Sequence, residues 1–112
     1  MRMVEAIIQP HRLAAVRDAL GRIGVEGMTV TEVRGFGRQK GHDELYRGCE
    51  YETSFVPKMK IAALTFDAKA SQVAEAVKGA ARTGRIGDGK IFVSAVEEAL
   101  RIRTGERGDR AV

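Results

Sequence analysis

From Met28 to Val33 the chain reads MTVTEV, alternating and rich in β-branched residues, and from Phe55 to Phe66 it again reads as a strand. Between these runs lies GFGRQKGHDELYRGCEY, Gly35 to Tyr51, which is polar and carries no strand or helix period. Two strands must therefore be joined by an excursion far longer than a hairpin turn, in a chain of only 112 residues. Loops of that size are uncommon in compact domains and are usually functional.

The rest of the pattern fits around that excursion. Met3 to Ile8 reads as a short buried strand, and Pro10 opens a helix whose apolar residues Leu13, Val16, Leu20 and Ile23 recur at helical spacing until Gly24 closes it. Gly27 to Phe36 is the second strand. In the third, Met59 and Ile61 fall on one face and Lys58 and Lys60 on the other. Asp67 is placed to cap a helix from about Ala68 to Ala81, with Val73, Val77 and Ala80 or Ala81 inward. A glycine-rich turn leads to a fourth strand, Lys90 to Val96. The order β-α-β-β-α-β predicts an α+β, ferredoxin-like fold in a single domain spanning 1–112. Both helices then cover one sheet face, and association through the other is the expected way to bury it.

Charge narrows the function. The net charge is +4, but the basic residues are interleaved with acids along the whole chain, without the dense stripe that neutralising many phosphates of a nucleic acid requires. Cys49 is the single cysteine, which excludes an internal disulfide framework and a multi-cysteine zinc site and suits a reducing compartment. The N-terminal apolar run is interrupted by Glu5 and is too short for a signal segment, so a cytoplasmic protein is expected.

Three segments carry candidate chemistry. In TGRIGDGKIF, Thr83 to Phe92, glycines let backbone N–H groups approach an anion, and Lys90 can set a point charge on a phosphate. It is not a Walker A loop, because a strand follows the lysine where that motif needs Ser or Thr and a helix. A tight turn with a solvated lysine explains the same residues. Arg101 and Arg103 flank Ile102, so in an extended chain both guanidinium groups face one side and suit a polyphosphate; a charged strand edge that blocks aggregation is an equal alternative. In the long loop, Arg38, Gln39 and Lys40 sit among Gly35, Gly37 and Gly41 in a flexible polar cluster, and Tyr46 and Tyr51 offer hydroxyls for covalent modification. His11 and His42 have no nucleophile near them in sequence, and Cys49 reads as an inert loop residue. No catalytic constellation is visible, so the expectation is a binding protein rather than an enzyme.

The runs GMTVTEVRGFGRQKGH, ELYRGCEY, TGRIGDGKIFV and RIRTGE together resemble the PII family of nitrogen-regulatory signal transduction proteins, over essentially the whole chain. The resemblance implies a homotrimer of ferredoxin-like subunits that binds ATP or ADP in the clefts between subunits and senses 2-oxoglutarate together with Mg-ATP. Carried over by position, it makes Thr29, Gly35, Arg38, Leu64, Gly87, Gly89, Lys90, Arg101 and Arg103 nucleotide contacts, with Thr29 and Leu64 on the adenine side. Gln39 would complete the magnesium shell. Lys58 would meet a 2-oxoglutarate carboxylate, aided by the backbone of Gly37, Lys40 and Gly41. Tyr51 matches the tyrosine uridylylated in many proteobacterial members.

The chain also departs from the family pattern. Ala62 stands where many members have glutamate near the nucleotide cleft, which bears on ATP against ADP preference. Cys49 replaces the usual alanine or serine, so a seryl phosphorylation known in some members has no acceptor there. Glu52, Thr53 and Ser54 differ at the exit of the loop. The implied role is a regulator whose 37–54 loop docks on targets according to the bound ligand: an ammonium channel, a uridylyltransferase, or regulators and enzymes of nitrogen assimilation. It would be cytoplasmic, and at the membrane only when held by a channel. The alternatives are a paralogue with another small molecule or partner, or a slow ATPase. The polar tail, about 104–112, is expected to be mobile.

Overall fold

The computed structural model describes residues 1–37 and 55–112. Strand β1 (Arg2–Ile8) alternates strictly, with Val4, Ala6 and Ile8 buried and Met3, Glu5 and Ile7 on the opposite face. A 3-10 turn, Pro10–Arg12, leads into helix α1 (Leu13–Arg22), which buries Val16 and Leu20. The helix ends because Gly24 takes φ +87°, a left-handed conformation that costs glycine nothing. Its N–H bonds the Gly21 carbonyl, and the Val25 N–H bonds that of Leu20, so two of the last carbonyls are satisfied.

Strands β2 (Thr29–Gly35) and β3 (Val56–Thr65) follow, then a 3-10 turn at Asp67–Lys69, helix α2 (Ala70–Ala81) and strand β4 (Lys90–Ala95). The four-stranded sheet runs β2-β3-β1-β4, with every neighbouring pair antiparallel. Each helix thus carries the chain over one intervening strand, which is the ferredoxin-like split βαβ arrangement. Both helices pack on one face: Val73, Val77 and Ala81 of α2 join Val16, Leu20, Val4, Ala6, Ile8 and Ile61 in one core. A fork from Arg12, Nε and Nη2 at 2.9 and 2.6 Å, holds the Ala80 carbonyl and satisfies the end of α2.

One expectation is corrected. Asp67 makes no cap; its carboxylate lies 2.8 Å from the terminal ammonium of Met1 and 3.5 Å from Arg2 Nε, and the ammonium's hydrogen bond chiefly holds its pKa below the ordinary value. The helix instead starts through a 3-10 turn closed by the Lys69 N–H on the Phe66 carbonyl. The polar tail folds back: Leu100 bridges Arg107, and a 3-10 turn forms at Gly108–Ala111. No helix among the described residues is long and apolar enough to cross a membrane.

Candidate functional site

Residues opposite one another in an antiparallel ladder share a face. The register therefore sets Thr29, Ala62 and Glu5 in one row on the helix-free face, and Thr31, Lys60, Ile7 and Lys90 in the next. Lys60 and Glu5 pair at 3.4 Å there. β2 begins at Thr29 and ends at Gly35; at about 3.4 Å per residue these ends lie about 20 Å apart. Thr29, Ala62 and Leu64 stand toward the first end, Lys58 and Gly35 toward the second, and Lys90 lies across the sheet in the Thr31 row.

At the Gly35 end stands a corner built from glycine. Gly87 and Gly89 have φ of +102° and +101°, and a Cβ on Gly89 would lie 1.7 Å from the Ile7 carbonyl oxygen, so only glycine lets the turn lie against β1. Asp88 clasps the turn. Its carboxylate accepts the N–H groups of Thr83 and Gly84, each at 2.8 Å, and the Thr83 hydroxyl. The hydroxyl's bond is the chief reason its pKa falls below the usual carboxylate value. Lys58 Nζ donates to the Gly87 carbonyl at 2.5 Å. Lys58 is nearly buried, whereas sequence alternation grouped it simply with Lys60. Burial lowers its pKa, opposed by the nearby Asp88 charge. A cleft of about 190 Å³ beside the turn is lined by Lys90, Lys78, Arg82, Gly89 and Ile7 among others.

At the Thr29 end is a groove of about 620 Å³, within the range of small-molecule sites. Thr29, Ala62 and Leu64 line it, with Met3, Glu26, Lys69, Phe66 and Arg101. Arg101 also donates to the Ala111 and Val112 carbonyls at 3.4 and 3.1 Å. The extended reading of Arg101 and Arg103 does not hold: the Gly105 N–H bonds the Arg101 carbonyl at 2.8 Å, and Gly105 at φ +76° turns the chain. Arg103 is exposed on that turn beside Ile102.

Gly37 is described and exposed; Arg38, Gln39, Lys40, Gly41, His42, Tyr46, Cys49 and Tyr51 lie outside the described residues. The stem below them is marked by Phe36 and Phe55, whose rings meet at 5.3 Å. Sequence reasoning missed Asp88, Lys69 and Glu26. The Thr83-to-Asp88 bracket around glycines was a readable signal for the clasp, but the groove charges come from separate elements. Among the described residues no group of three or more His, Cys, Asp or Glu side chains could hold a metal.

Comparison with known proteins is unambiguous in kind. The profile of the family described as nitrogen regulatory protein P-II matches residues 1–106. The chain is 60% identical to a nitrogen regulatory protein P-II of Rhodospirillum rubrum, 58% to one of Rhizobium meliloti and 56% to one of Azospirillum brasilense. Each alignment covers the whole of both chains.

Proposed function

This chain belongs to the nitrogen regulatory protein P-II family, and from that premise we propose that it is a non-enzymatic sensor of ATP or ADP and 2-oxoglutarate that regulates nitrogen metabolism through its 37–54 loop. The observation that carries the reading is the division of the candidate nucleotide residues between two ends of one sheet. The corner cleft and the base groove share no lining residue within a chain. They serve one nucleotide when the corner of one copy abuts the groove of the next, which supports a homotrimer with its sites between subunits.

In that arrangement Gly35, Gly87, Gly89 and Lys90, with Arg38, take the phosphates. Thr29 and Leu64 meet the base, and Arg101 and Arg103 reach the phosphates from the neighbour's side. Magnesium comes with the triphosphate, whose oxygens supply most of its ligands, with Gln39 completing the shell. Lys58 meets the carboxylate of 2-oxoglutarate, beside Gly37, Lys40 and Gly41. ATP with 2-oxoglutarate, and ADP alone, favour different arrangements of the loop because each has a different affinity for them. The loop then docks on or leaves an ammonium channel, a uridylyltransferase acting at Tyr51, or regulators and enzymes of nitrogen assimilation. The protein works in the cytoplasm, and at the membrane only on a channel.

Calorimetric titration of 2-oxoglutarate with Mg-ATP, with Mg-ADP and with neither tests the reading. Binding that requires Mg-ATP is the expected result, and the acid must then tighten ATP binding equally. No binding of either ligand contradicts it, and ATP turnover at about 1 per second or faster would mark an enzyme instead.

A further inference from the structure

The carbonyl of Gly87 receives an ammonium from a distant strand. Lys58 leaves β3 on the helix-free face and crosses Gly35, where a Cβ would stand 3.2 Å from the Lys58 Cγ. It ends with Nζ 2.5 Å from the Gly87 oxygen. The residue is 7% exposed, and lysines so enclosed keep their charge only when it is paired or hydrogen-bonded. The turn it reaches needs such a tie, because Gly84, Gly87 and Gly89 at φ +88°, +102° and +101° leave its backbone adaptable. Asp88 fixes the near end through Thr83 and Gly84. Lys58 fixes the far end through Gly87.

We propose that Lys58 is a positioning residue for the glycine turn: by holding the Gly87 carbonyl it aims the following peptide N–H, that of Asp88, away from itself and presets it as a donor to a bound phosphate. The direction follows from the trans peptide, in which C=O and N–H point opposite ways. An ammonium has three donors, so Lys58 can keep Gly87 and still offer N–H to a carboxylate. An acid at Lys58 and a phosphate on the turn are then one hydrogen bond apart, and that bond couples them. Burial and the Asp88 charge act oppositely on the Lys58 pKa, so the ammonium sits between a desolvating wall and a compensating anion.

This rests on the phosphate reading of the turn, and the test separates the two. Lys58→Met keeps the stem and removes the donors; amide hydrogen exchange from Gly84 to Lys90 should rise about tenfold without any ligand, while the β1 and β3 amides stay protected. ATP affinity should fall several-fold, and Lys58→Arg should restore much of both. Unchanged turn exchange in a folded Lys58→Met protein would overturn the proposal. If that variant does not fold, the wild-type protein decides: a through-bond NMR coupling between Lys58 Nζ and the Gly87 carbonyl carbon is expected, and its absence in a spectrum that resolves the buried ammonium would overturn it. A wild-type protein that binds no nucleotide, yet loses turn protection on Lys58→Met, would sink the phosphate reading and leave the positioning role standing.

Discussion

The glycine corner and the Thr29 groove stand at opposite ends of the same strand, and they are made in different ways. The corner is fixed by backbone: positive φ at Gly87 and Gly89, contact of Gly89 with Ile7, the Asp88 clasp and the buried Lys58 ammonium. The groove is walled by side chains from several elements, with Arg101 held by exposed bonds to Ala111 and Val112 and an exposed ion pair with Glu106. A phosphate is recognised by directed donors, which must be preset to be effective. A flat base asks mainly for apolar area and a few polar edges. On the proposed nucleotide reading, the corner ties binding to folding, and the groove leaves them separable.

The sharpest way to break this contrast is Gly89→Ala. A methyl group at φ +101° and 1.7 Å from the Ile7 oxygen forces the turn off β1, and we expect a loss of about 3 kcal/mol or more in urea unfolding, with nucleotide binding lost as well. Full stability in that variant would mean the corner is not backbone-determined. Arg101→Ala at the groove should weaken nucleotide binding by about 1.5 to 3 kcal/mol. Its unfolding free energy should stay within about 0.5 kcal/mol of the parent, since only surface bonds are lost. Equal losses in both measurements would erase the distinction.

A smaller effect sharpens the corner itself. The Asp88 carboxyl has its pKa lowered by the Thr83 hydroxyl, so its clasp is complete above the ordinary carboxylate value of about 3.9 and is lost as pH falls through the lower folded-state value. Amide exchange at Thr83 and Gly84, corrected for its intrinsic pH dependence, should show that acid loss. Asp88→Ala should expose those amides at neutral pH and flatten the profile, while groove amides near Thr29 stay unchanged.

Much of the fold was legible because periodicity reports burial directly: Val4, Ala6 and Ile8, or Val16 and Leu20, lie where their spacing predicts. The misses have physical reasons. Asp67 precedes a helix, as caps do, but the Met1 ammonium competes for its carboxylate. Arg101 and Arg103 share a side only in an extended chain, and Gly105 makes that stretch a turn. Lys58 alternates with apolar neighbours like a solvated residue, yet Gly35 on the adjacent strand opens its path to Gly87. Such burial depends on register and on a distant turn, neither written in the local pattern. The two glycine positions of the corner, by contrast, were readable, because positive φ and close backbone approach are what glycine supplies.

The central claim, that corner and groove of different copies form one site, can be tested by mixing subunits. Lys90→Ala disables corners and Arg101→Ala disables grooves, so neither homo-oligomer should bind Mg-ATP well. After unfolding and joint refolding at equal amounts, about a quarter of the sites should pair an intact corner with an intact groove, and calorimetry should recover that fraction of binding. No recovery in mixed oligomers, verified by mass, would place the whole site within one chain and contradict the account.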